Sequence, residues 1–112
     1  RVLQMNSSYY DAWIGKGMAL GNMEDLPGAL QCFENAIVID PRNPSGWNNK
    51  GAVLLNMQSY EDALVCFNQA LLIDPLNEAA LRNRENTLSA MNQVGTSAPA
   101  QSYPSQSTMD MD

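Results

Sequence analysis

The sequence predicts an all-α fold, a solenoid of helical hairpins with about five helices. Three observations carry that prediction. The phrase "FENAIVIDP", Phe33–Pro41, returns as "FNQALLIDP", Phe67–Pro75, 34 residues later. A fixed period of roughly 20 to 50 residues marks stacked supersecondary units. Apolar residues within a unit recur at i, i+3 and i+4, the spacing of one helix face. Each unit then closes on a proline, Pro41 or Pro75, which bars the residue before it from helical geometry.

The register extends beyond the phrase. Trp13 pairs with Trp47, Lys16 with Lys50, Gly17 with Gly51, Leu20 with Leu54, and Met23 with Met57. Ala29 pairs with Ala63, Cys32 with Cys66, Phe33 with Phe67, Ala36 with Ala70, and Asp40 with Asp74. A structural unit that repeats is the simplest source of such a pattern. At 112 residues the chain suits one domain, placed here over residues 7–93.

The elements follow in order. "RVLQMN" aligns with Asn35–Asp40, and Val2, Leu3 and Met5 fall on apolar positions. Residues 1–6 are therefore expected to be the tail of a truncated preceding repeat, its second helix. A chain opening on Arg1 reads as a fragment of a longer array. The first repeat spans 10–43 and the second 44–77.

The second repeat shows its two helices most clearly. Asn43 is an N-cap, with Pro44 at the first helical position, where a missing N–H costs nothing. Trp47, Gly51, Leu54 and Leu55 share a face. Ser59 opens the second helix, and Asp62 three residues on predicts a capping box with Asp in place of Glu or Gln. Ala63, Leu64, Phe67, Ala70 and Leu71 continue the stripe. Gly51, Ala63 and Ala70 are small where bulk would hold two helices apart, and Trp47, Leu54 and Phe67 fill the space around them. Gly17, Ala29 and Ala36, with Trp13, Leu20 and Phe33, do the same in the first repeat. Close antiparallel pairs result, and stacking them buries a continuous core.

Trp-x2-Lys-Gly-x2-Leu, then Ala-x3-Phe, then Pro, at a 34-residue period, resembles the tetratricopeptide repeat. The resemblance covers Tyr10–Pro41 and Pro44–Pro75. Some positions depart from the family pattern. Lys16 and Lys50 stand where Leu is usual, and their stems are expected to lie along apolar surface with the charge in water. Leu20 and Leu54 stand where Tyr is usual, and Glu24 and Gln58 occupy a turn position where Gly is common. The resemblance implies a right-handed superhelix.

Beyond Pro75, Asn77 caps a further helix, 78–93. Leu81 takes the Trp position, Leu88 the Leu54 position, and Glu85 the packing-Gly position. This resembles the terminal capping helix of such arrays, one face on the second repeat and the other solvated by Arg82, Asn83, Arg84, Glu85 and Asn86. Residues 94–112 are rich in Ser, Pro and Gln and are expected to be disordered.

Composition excludes several functions. Net charge is −6, which repels phosphate backbones and anionic bilayers, so neither nucleic acid nor membrane is an expected partner. No His occurs, which removes the commonest general base and metal ligand. No nucleophile, base and orienting group converge, so no enzyme, metal or cofactor is expected. Cys32 and Cys66 read as small buried hydrophobes beside the core Phe. As free thiols they suit a reducing compartment, here the cytoplasm. Met23 and Met57, and Trp13 and Trp47, repeat in register and read as packing.

Interaction is the reading that remains. The resemblance implies a concave groove, lined by the first helix of each pair, that receives a peptide of a protein partner. By register its positions are Asp11, Ile14, Gly15 and Met18 in the first repeat. In the second they are Ser45, Asn48, Asn49, Ala52, Leu55 and Asn56, and in the cap Arg82, Asn83 and Asn86. Asn both donates and accepts, matching a peptide N–H and C=O. Binding would rest on apolar contact at Ile14 and Met18 and amide bonds from Asn48, Asn49 and Asn56. Chaperone-binding members of the family hold a C-terminal carboxylate in a clamp of basic and amide side chains. Asn49 matches one clamp amide, but Ile14, Met18, Ala79 and Asn83 replace others, so carboxylate clamping is not expected. The alternative function is self-association through the exposed N-terminal edge.

Overall fold

A computed structural model describes residues 2–94, with side chains from Ser8 to Gln93. Five helices follow one another: α1 Val2–Asn22, α2 Leu26–Ile39, α3 Pro44–Asn56, α4 Tyr60–Ile73 and α5 Glu78–Val94. Each packs on the next, and α3 also touches α1 and α5. The helices thus form two layers, α1–α3–α5 and α2–α4. The described residues contain helices and turns alone, an all-α solenoid. The tail expected to be disordered lies, apart from Val94, outside the described residues.

Proline places two of the breaks. Asp40 (φ −143°, ψ 85°) and Asp74 (φ −137°, ψ 90°) are extended immediately before Pro41 and Pro75. Asn43 then caps α3, its side chain accepting from the Ser45 N–H at 3.0 Å. Asn77 caps α5 by accepting from the Ala80 N–H at 2.9 Å. The N-terminus differs from expectation. Instead of a separate preceding helix over residues 1–6, α1 runs unbroken from Val2 to Asn22. At the register of Pro41 and Pro44 the chain has Ser7 and Tyr10, so nothing there bars helical backbone or removes a donor.

Turns within the hairpins use the left-handed region. Glu24 has φ 66° and Gln58 φ 64°, at the position where the family commonly has Gly. Around Gln58, the Ser59 N–H donates to the Leu54 carbonyl at 2.8 Å and the Gln58 N–H to Leu55 at 3.0 Å. Asp25 and Glu24 make the same pair of bonds to Leu20 and Gly21. This is the Schellman closure, and it satisfies carbonyls a helix end would leave bare. It also replaces the expected capping box. Ser59 makes no side-chain cap bond, and its own N–H already serves Leu54, so Asp62 has no donor to reach back for. Asp25, in the same register, does cap, accepting from the Gly28 N–H at 3.1 Å.

The core forms where small residues let two helices close. Ala29, Ala36, Ala63 and Ala70 are fully buried. A Cβ added at Gly17 would sit 2.5 Å from Phe33 Cε1, and one at Gly51 would sit 2.5 Å from Phe67 Cε1. Each ring therefore lies on bare backbone. Leu54, Ala63, Cys66 and Phe67 form one cluster, with Leu30, Trp47 and Leu55 against it. Ala29, Phe33 and Val53 form the other, with Ile14, Leu20, Leu26 and Leu30 around it. Val53 comes from the second repeat, so it joins the two hairpins. Met23 and Met57 do not pack as expected. Met23 is 73% exposed and Met57 39%, because both sit at the helix end just before the left-handed residue.

Two substitutions test these constraints by urea unfolding. Gly51→Ala should destabilise by about 1–3 kcal/mol, since the Phe67 ring or a helix must move. Gln58→Gly should stabilise by about 0.5–1 kcal/mol. It relieves a left-handed cost of about 1–2 kcal/mol and returns part of that as chain entropy.

Candidate functional site

The candidate groove is the layer α1–α3–α5, and α3 is its centre. The start of α3 is held from three sides. Tyr10, only 4% exposed, accepts with its hydroxyl from the Gly46 N–H at 2.7 Å. Gly46 has no room for a Cβ, which would meet Ile37 Cγ1 at 2.9 Å and the Tyr10 oxygen at 3.2 Å. The Trp47 indole N–H donates to the Pro41 carbonyl at 2.9 Å. Together with the Asn43 cap, these bonds fix where the side chains of α3 point.

The two lysines in the family's Leu position are part of the scaffold. Lys16 Nζ lies 5.4 Å from the Trp13 ring centroid and Lys50 Nζ 5.8 Å from that of Trp47, within cation–π range. Lys50 also pairs with Glu34 at 3.5 Å. Each ammonium thus lies over a tryptophan ring, with Lys16 exposed and Lys50 half-buried.

The groove positions divide by surroundings. Asp11, Gly15, Met18, Ser45, Asn56, Arg82 and Asn86 are exposed. Asn48, Asn49, Ala52, Leu55 and Asn83 are half-buried. Asn48 and Asn83 are brought together: Asn83 Nδ2 donates to Asn48 Oδ1 at 3.1 Å, joining α3 to α5. That bond occupies one acceptor assigned to a ligand, and it takes Asn83 out of the freely solvated face. Ile14 is half-buried and packs against the Ala29, Phe33 and Val53 cluster. Leu55 likewise packs against the Leu54 cluster. Met18, 53% exposed, remains as free apolar surface on α1.

Three residues that position this layer escaped sequence reasoning. Tyr10 stands at the register of Pro44, so comparing repeats showed a mismatch and hid its role. Val53 aligns with Ala19 and Thr87, a position without identity between units. Thr87 is fully buried in α5, and its hydroxyl donates to the Asn83 carbonyl one turn back at 2.7 Å. A buried hydroxyl without that acceptor would be costly. The signal that finds Val53 and Thr87 is helical spacing within α3 and α5, not identity across the period.

Burial governs the titratable groups that stand out. The Tyr10 phenol is pushed up to about 12 by desolvation, with Asp40 and Asp11 adding to the rise and the Gly46 hydrogen bond opposing it. The Cys66 thiol is pushed up to about 11, again mainly by burial, with Lys50 opposing. A thiol so raised is a poor nucleophile. Cys32 and Cys66 are both free and buried, as small hydrophobes would be. Among the described residues no group of three or more Cys, Asp or Glu could hold a metal ion. Nor is any helix among them long and apolar enough to cross a membrane. A cleft of about 390 Å³ among α2, α3 and α4 is lined by Leu30, Glu34, Trp47, Lys50, Asp62 and Cys66, among others. The Lys50–Glu34 pair spans it.

The tetratricopeptide repeat family model matches residues 10–43 and 44–77, more than half of the chain. The chain belongs to the tetratricopeptide repeat family. Both matched ranges coincide with the repeats read from the sequence. No curated protein sequence matches the chain. Solved tetratricopeptide structures share its fold. The second such domain of Spaghetti (RPAP3), bound to the HSP90 peptide SRMEEVD, is 19% identical with a TM-score of 0.73, covering 82% of this chain and 87% of that one. The Arabidopsis OM64 domain is 21% identical with a TM-score of 0.75, covering 80% and 74%. The TPR2B domain of yeast Sti1, in a complex with pHsp70, is 20% identical with a TM-score of 0.74, covering 80% and 71%.

Two tests bear on this layer. Tyr10→Phe should cost about 1–3 kcal/mol, because the buried Gly46 N–H loses its acceptor. The folded state holds the neutral phenol, so its share of stability is complete below pH 10 and falls as pH rises toward 12. Tyr10→Phe should flatten unfolding curves in that window, leaving the Cys66 contribution between pH 9 and 11. A double-mutant cycle of Asn48→Ala and Asn83→Ala should give a coupling of about 0.5–1.5 kcal/mol.

Proposed function

We propose that the chain is a non-catalytic interaction module that takes a peptide segment of a partner protein along α1, α3 and α5. One observation carries this reading. The layer presents a continuous set of side chains that the core does not use, from Met18 on α1 through Asn49, Ala52 and Asn56 on α3 to Arg82 and Asn86 on α5. The family supports an interaction role, and the peptide complexes of the Spaghetti and Sti1 domains support a peptide as the ligand class.

The mode of binding follows from what is left free. Apolar contact falls to Met18 and Ala52, with Ile14 contributing only the part of its surface that the core leaves bare. Asn49 and Asn56 offer paired donors and acceptors to a peptide backbone. Asn48 adds its amide protons, its oxygen being held by Asn83. The free thiols suit a reducing compartment such as the cytoplasm.

Capture from lysate tests the groove. Wild type runs beside an Asn48→Ala, Asn49→Ala, Asn56→Ala variant of matched helical content. A protein held by wild type and released by the variant is the expected result, with affinity for its minimal peptide down at least tenfold. Equal capture by both would move binding off this layer. A synthetic SRMEEVD peptide should bind no better with a free carboxylate than with an amidated end, because Ile14, Met18, Ala79 and Asn83 stand at clamp positions. The alternative, self-association through the N-terminal edge, has Tyr9 and Met23 in its favour, 58% and 73% exposed. A Tyr9→Lys, Met23→Lys variant that sediments as smaller species than wild type would establish it.

A further inference from the structure

α5 stands in the register of α1 and α3 but has no helix of its own hairpin over it among the described residues. Leu81 and Leu88, at the Trp47 and Leu54 positions, are 44% and 45% exposed. They are seven residues apart and so share a face, with Arg84 and Glu85 between them, also exposed. Neither charge has an ion partner among the described residues.

The identity of residue 85 limits what can cover this face. At Gly17 and Gly51 a Phe ring lies on bare backbone. Glu85 closes that approach, so a hairpin partner of the repeat type cannot seat. The occupant must stand further off and bring a cation opposite Glu85, an anion opposite Arg84, and apolar surface to either side.

We propose that the occupant is α5 of a second copy, packed antiparallel about a two-fold axis that passes between Arg84 and Glu85. That axis sets Leu81 of one copy opposite Leu88 of its partner, and Arg84 opposite the partner's Glu85, twice over. The same face is thus its own complement, the condition for an isologous interface. The contact spans about two turns of a 17-residue helix, well below the size of a stable dimer interface. The association is a weak one, with a Kd on the order of 10–100 μM. It leaves the α3 part of the groove open, where Asn48, Asn49 and Asn56 lie.

Sedimentation equilibrium of the full chain, from about 10 μM to 1 mM, tests the pairing, with helical content checked for every variant. Wild type should show a monomer–dimer equilibrium. Leu88→Asp should weaken it at least tenfold. Arg84→Glu should also weaken it at least tenfold, because it sets a carboxylate against the partner's Glu85 in each of the two pairs. The double variant Arg84→Glu, Glu85→Arg should return the affinity to within about threefold of wild type. A wild type that stays monomeric at 1 mM would overturn the proposal, whether the face is bare or covered by the chain's own residues 95–112. So would a dimer indifferent to Leu88→Asp or Arg84→Glu, or a double swap that fails to rescue. None of these variants touches the groove residues tested by capture, so the two readings fail separately.

Discussion

The stack depends on how closely the two helices of a hairpin approach, and a Phe ring lying on bare glycine sets that distance. Phe33 rests on Gly17 and Phe67 on Gly51. With the helices this close, Ala29, Ala36, Ala63 and Ala70 can seal the seam at zero exposure. Val53 then reaches from one hairpin into the core of the other. Because interiors pack at near-crystalline density, the spacing within each pair fixes the spacing between pairs, and so the course of the layer that carries the candidate groove.

The same constraint bears on α5. α5 keeps the face that packs on α4, including fully buried Ala80 and Thr87. It changes the opposite face at the one position where change is decisive. A glutamate stands in the glycine register, where at Gly17 and Gly51 a Phe ring lies on bare backbone. Leu81 and Leu88 on that face are half-exposed.

What the sequence made legible was whatever backbone chemistry or close packing forces on residue type. Prolines placed the breaks before Pro41 and Pro75, and the packing glycines could be named individually. The turn positions Glu24 and Gln58 stood out as departures from glycine, and both prove left-handed. The misses share a different cause. The break expected after Asn6 does not form, because Ser7 and Tyr10 stand where Pro41 and Pro44 make it in the next repeat. The Ser59 capping box ignored that Ser59 also ends the preceding turn. In the groove, register gave a set of positions but not what each side chain does there. It could not show that Asn48 and Asn83 would bond each other, or that Ile14 would turn into the core. Those outcomes depend on contacts between elements far apart in sequence, which a repeat pattern averages away.

Charge narrows the ligand further than shape does. The chain holds six Lys and Arg against twelve Asp and Glu. Lys16 and Lys50 lie over tryptophans, and Lys50 is also paired with Glu34. Arg84 stands on the outer face of α5 rather than on the groove layer, beside Glu85. Arg82 is then the one cation among the groove positions, while Asp11 contributes a carboxylate at the opposite end. An anionic peptide terminus would find one positive partner in a field of net negative charge, and long-range electrostatics would oppose its approach. A neutral or basic segment meets no such barrier. It can run its backbone past Asn49 and Asn56, set an apolar residue against Met18, and turn a cationic side chain toward Asp11. The proposed groove is therefore suited by its charge to a neutral or basic segment.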